Sequence, residues 1–95
     1  MSGSLKEQYA YDAFEDVLLE GTYTVWLIND DLNTFEFVID TLMELCRHSY
    51  EQASQCAFIA HNTGRCDVFR SGYEEVERIA NTMLNRGLTV KITEE

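Results

Sequence analysis

Asn29, Asp30 and Asp31 are consecutive, and Leu32 and Asn33 follow them, so a carboxamide and two carboxylates meet at one point of the chain. Such a group is rich in acceptors and suits a cation, either a metal ion or an ammonium group. As plain structure, the same residues would fill a strand-to-helix loop and complement the dipole of the helix that follows. His61, ahead of Asn62, Thr63 and Gly64, is the second chemically capable group. It could do no more than cap a helix C-terminus. If it faces the acidic loop, its neutral imidazole could accept from an ammonium ligand.

Two other constellations are weaker. Cys46, His48, Cys56, His61 and Cys66 show none of the short Cys-Cys spacings of a zinc site. Cys46 and Cys56 fall on apolar stripes, where thiols behave as small hydrophobes. Cys66 with His61 and Asp67 could be drawn as a Cys-His nucleophile pair, but nothing nearby would form an oxyanion hole. The reading is therefore a protein with no metal site, no cofactor and no catalytic residue. A regulatory metal held by the acids and His61 is the remaining metal alternative.

The elements that must position these groups are legible from periodicity and caps. Tyr23 to Ile28 alternates as a strand with bulk on both faces, which predicts a central position. Asn33-Thr-Phe-Glu36, Ser49-Tyr-Glu-Gln52 and Ser71-Gly-Tyr-Glu74 each read as a capping box opening a helix. The first helix runs to about Arg47, burying Phe35, Val38, Ile39, Leu42, Met43 and Cys46. The second runs from about Tyr50 to His61 on a small-sided stripe of Ala53, Cys56, Ala57 and Ala60, which permits close approach or leaves a hollow beside it. The third runs from about Gly72 to Asn85 on Tyr73, Val76, Ala80 and Met83, with Gly87 at its C′ position. Arg65 to Arg70 reads as a short strand, and Leu88 to Thr93 as a half-exposed closing strand. The order is β-α-α-β-α-β, an α+β domain with a three-stranded, mostly antiparallel sheet packed against three helices.

Length and charge bound the function. Ninety-five residues, 45% of them hydrophobic, make one domain. Residues 1–21 are expected to be a flexible extension with a short amphipathic stretch around Phe14, Val17 and Leu18, and residues 22–95 the domain. The net charge of −10, from 17 acidic and 7 basic side chains, disfavours nucleic acid and anionic membrane surfaces as partners. No run is apolar enough to span a bilayer, the start lacks a signal-peptide core, and three cysteines without a tight pair fit a reducing compartment. A cytoplasmic protein is expected.

Taken together, the residues resemble the ClpS adaptors of bacterial ATP-dependent proteolysis. Tyr23-Thr-Val-Trp-Leu-Ile-Asn-Asp-Asp31 is similar to the family's opening strand and Asn-Asp-Asp signature. Phe35-Glu-Phe-Val-Ile-Asp40 resembles the segment after it, and His61-Asn-Thr-Gly-Arg65 resembles its His-x-x-Gly-Lys turn. The resemblance covers Tyr23 to Ile92. It implies an adaptor that binds substrates beginning with Leu, Phe, Tyr or Trp and delivers them to a ClpA- or ClpC-type unfoldase coupled to ClpP. Carried over, Asn29, Asp30 and His61 would hold the α-ammonium, and Asp31 would support that loop or contact the peptide. Leu27, Asn33, Phe35, Ala57 and Ala60 would line the side-chain pocket, with Leu88 or Thr89 closing it. Phe35 stands where the family usually has Met, Thr34 where Pro is common, and Ala57 and Ala60 are smaller than its usual residues. The alternative is a docking domain on an unfoldase or ribosomal partner, with no such pocket.

Overall fold

The computed structural model describes residues 21–29 and 31–95. The expected extension therefore lies, Gly21 apart, outside the described residues, and so does Asp30. Six elements follow in order: β1 (Tyr23–Ile28), α1 (Phe35–Cys46), α2 (Tyr50–Thr63), β2 (Arg65–Ser71), α3 (Tyr73–Asn85) and β3 (Thr89–Glu94). The sheet order is β2-β1-β3, with both pairings antiparallel. β1 is central, as its two-sided bulk requires: Tyr23, Thr24, Val25 and Leu27 are all buried. The register of β1 on β2 slips between Val25 and Trp26, so Val68 is an extra residue on β2.

One face of the sheet carries the core. Val25, Leu42, Val76 and Met83 are fully buried, and Ala53, Ala57 and Ala60 bring α2 close to them. On the other face the Arg65 guanidinium lies 4.5 Å over the Trp26 ring, and the Trp26 indole N–H donates to Thr93 Oγ1 at 2.8 Å.

The helix starts refine the sequence reading. Ser49 and Gln52 form the reciprocal capping box expected of them. At α1 the N-cap is Thr34, whose hydroxyl accepts from Phe37 N–H, and not Asn33, whose carboxamide is engaged elsewhere. At α3 the N-cap is Gly72, because Ser71 ends β2 and donates its hydroxyl to Glu75 Oε1. Phe35 and Met43, expected on the buried stripe of α1, are exposed, and Thr41 is buried instead. The helix buries one narrow stripe, and these two residues sit on its edges.

Helix α2 ends on Gly64, with φ +102°, whose N–H donates to Ala60 O at 2.9 Å. A Cβ at Gly64 would meet no neighbour within 4 Å, so substitution there is opposed by backbone conformation alone. Gly64→Ala is expected to lower stability by about 1–2 kcal/mol. Chemical denaturation would measure this, and an unchanged midpoint would contradict it.

All three thiols are reduced, and Cys46 and Cys66 are only 6% exposed. Burial pushes the Cys46 thiol up to about 11 and that of Cys66 up to about 12, and raises Cys56 as well. The fold thus retains protons that the unfolded chain releases above about pH 9, so this contribution to stability is complete below that pH. It is lost as pH rises through about 11 and 12. At pH 8 Cys46 should react with a thiol reagent about 100-fold more slowly in the native protein than in denaturant, as two pH units of thiolate depletion require. Equal rates in the two states would contradict the burial argument.

Candidate functional site

At the C-terminal end of β1 the chain turns away from the sheet, and this is where the expected groups meet. Asn29 N–H donates to the Gly64 carbonyl at 3.0 Å, pinning the end of β1 to the cap of α2. Because His61 lies in the last turn of α2, that bond brings Asn29 and His61 into one neighbourhood. The Asn33 carboxamide donates to Gly87 O at 3.0 Å and ties the start of the helical segment to the α3–β3 turn. That turn is held from the other side by Arg86, whose Nη1 and Nη2 contact Glu44 Oε1 and Oε2, both at 2.8 Å. Hydrogen bonding to Arg86 holds the Glu44 carboxyl below its usual range, and the same pairing raises the guanidinium.

Between these anchors lies a cleft lined by Leu27, Ile28, Asn29, Asn33, Phe35, Val38, Ala57 and Ala60. It arises because α2 presents only methyl groups here, where larger side chains would fill the gap against β1 and α1. Its enclosed depth is about 20 Å³. That depth has room for about one water molecule. Phe35, 45% exposed, stands at the mouth with its ring edge-on to His61, centroids 5.4 Å apart at 78°.

Six of the residues singled out from sequence therefore share one cleft: Leu27, Asn29, Asn33, Phe35, Ala57 and Ala60. His61 joins them through Phe35. Asp31 is exposed in the loop. Leu88, expected to close the pocket, is 3% exposed and packs in the core, its N–H donating to Met83 O at the end of α3. Ile28 and Val38 line it without having been singled out. Ile28 was masked by strand alternation, which assigns it to the opposite face from Leu27, and Val38 by its place in the buried stripe of α1. Among the described residues no group of three or more His, Cys, Asp or Glu side chains is placed to hold a metal. No helix among them is long and apolar enough to cross a membrane.

Chemically, the site offers an apolar recess with acceptor side chains at its rim. That combination suits an amphipathic ligand with one apolar group and one cationic donor. Comparison with known proteins points the same way. Residues 19–91 match the family model described as ATP-dependent Clp protease adaptor protein ClpS. The ATP-dependent Clp protease adapter protein ClpS of Salmonella gallinarum is 35% identical over 83 residues, covering 84% of this chain and 76% of its own. That of Nitratidesulfovibrio vulgaris is 38% identical over 72 residues, covering 72% and 69%. Among solved structures, Agrobacterium tumefaciens ClpS2 bound to L-phenylalaninamide matches with a TM-score of 0.75 and 26% identity, covering 79% of this chain and 98% of its own. With the fold, the cleft and these matches in agreement, the chain belongs to the ClpS family of ATP-dependent Clp protease adaptors.

Proposed function

We infer that this protein is a noncatalytic adaptor that holds the free N-terminal residue of a substrate protein, a bulky apolar one such as Leu, Phe, Tyr or Trp. It presents that substrate to a ClpA- or ClpC-type unfoldase coupled to ClpP. The observation that carries the reading is the cleft itself: an apolar recess with Asn29 in its wall and His61 beside its mouth. The phenylalaninamide bound to ClpS2 supports it, since that ligand joins an apolar ring to a free α-amino group.

An α-ammonium carries three donors and needs clustered acceptors, here Asn29, His61 and, from its place in the sequence, Asp30, with Asp31 supporting the loop. Each charge-assisted bond is worth about 1.5–3 kcal/mol, and burying a Leu or Phe side chain about as much again. After the cost of ordering both partners, the sum corresponds to roughly micromolar affinity. Neither half suffices alone, so internal residues are rejected. Since the enclosed depth has room for about one water, the side chain enters as Phe35 swings off His61. A docking domain that reads no N-terminus has no use for this recess.

Labelled peptides beginning with Leu, Phe, Trp or Tyr should show saturable fluorescence anisotropy. An Ala-initiated peptide and an N-acetylated Phe peptide should not, and equal binding of the acetylated control would defeat the proposal. His61→Ala and Asn29→Ala should each weaken binding about 10- to 150-fold with the fold intact by circular dichroism. Wild-type affinity in both variants would remove these residues from the site. Phe35 crowds the branch point of an incoming side chain, so Phe35→Ala should admit Ile- and Val-initiated peptides that the wild type resists. Unchanged discrimination would place the filter elsewhere.

A further inference from the structure

A second depression adjoins the first and shares Phe35 with it. It runs between α1 and α2, walled by Phe35, Ile39, Tyr50 and Phe58, with about 840 Å³ of empty space counted to its open mouth. Tyr50 is 64% exposed and Phe58 61%, so two aromatic rings stand in solvent on one face of a small acidic domain. Exposed apolar surface of this kind marks contact with another molecule. Ser54 also lines the groove, and its hydroxyl has no hydrogen-bond partner among the described residues. Glu36 stands on the rim, and with Asp40 it borders a smaller cleft that again includes Ile39 and Tyr50.

We propose that this groove seats the stretch of substrate chain immediately after the N-terminal residue, and that it favours apolar side chains at substrate positions 2–5. The inference rests on the first-residue reading above. Continuity identifies the occupant: a residue whose amino group lies near His61 and Asn29 and whose side chain fills the cleft must send its carbonyl outward past Phe35. That is where the groove begins. From Phe58 back to Tyr50 along α2 is about 12 Å at 1.5 Å per residue. An extended chain at about 3.3 Å per residue crosses that distance in about four residues. The acidic rim excludes an anionic lipid surface and suits a chain bearing apolar and basic side chains.

The test uses two C-terminally labelled peptides, both starting with Phe, one with Leu, Ile and Val at positions 2–5 and one with Ser and Gly there. The wild type should bind the apolar peptide about tenfold more tightly. In a Tyr50→Ser, Phe58→Ser double variant the two affinities should converge on that of the Ser/Gly peptide, which itself should not change. Both substituted side chains are mostly exposed, so the fold should tolerate their loss. Equal wild-type affinities overturn the inference and leave first-residue binding standing. A preference that survives the double substitution overturns it too, since the selectivity then lies elsewhere. Failure of both peptides to bind removes the first-residue reading and this inference with it. A concentration-dependent dimer in sedimentation that the double variant abolishes would assign the groove to a second copy instead.

Discussion

The site depends on one backbone hydrogen bond, from Asn29 N–H to the Gly64 carbonyl. It joins the last residue before the Asp-rich loop to the residue that terminates α2. Without it, Asn29 and His61 would be two polar groups on separate elements. With it, a strand end and a helix end are fastened at one point, and the recess between them acquires a rim of acceptors. Gly64 can occupy that point because its φ of +102° carries no side-chain penalty. The carbonyl that receives Asn29 is thus set by the same turn that stops the helix.

The recess is the complement of small side chains. Ala53, Ala57 and Ala60 let α2 approach the sheet closely while leaving space beside Ala57 and Ala60 for Leu27, Val38 and Phe35 to border. Bulk has moved from the floor to the mouth, where Phe35 leans on His61. A recess with an aromatic ring at its mouth suits selective capture, because entry requires the ligand to replace the ring's contact with His61. The anchors around it are redundant. Asn33 holds Gly87, and the paired contacts of Arg86 with Glu44 of α1 hold the neighbouring residue of the α3–β3 turn.

Much of this was legible in the sequence. The β1 alternation located the strand and its central place, the Ser49–Gln52 capping box located α2, and the Gly87 signal located the end of α3. The pocket residues were legible through a family resemblance more than through physics, since nothing in an alanine stripe distinguishes close packing from a hollow. What stayed illegible was set by tertiary geometry. Asn33 and Thr34 are equally good caps locally, and only the approach of Gly87 O draws the Asn33 carboxamide away. Helical periodicity placed Phe35 and Met43 on the buried stripe, although the neighbouring elements cover only part of it.

The central claim is that a free α-amino group and an apolar side chain are bound together, between β1, α1 and α2. Methyl and amide NMR spectra recorded during titration with phenylalaninamide, and separately with its N-acetyl derivative, test it most directly. The account predicts saturable shifts at Leu27, Val38, Ala57, Ala60 and His61 with the free amine and none with the acetylated form. Shifts that cluster on α3 or on the open face of the sheet, or that are indifferent to acetylation, would contradict it.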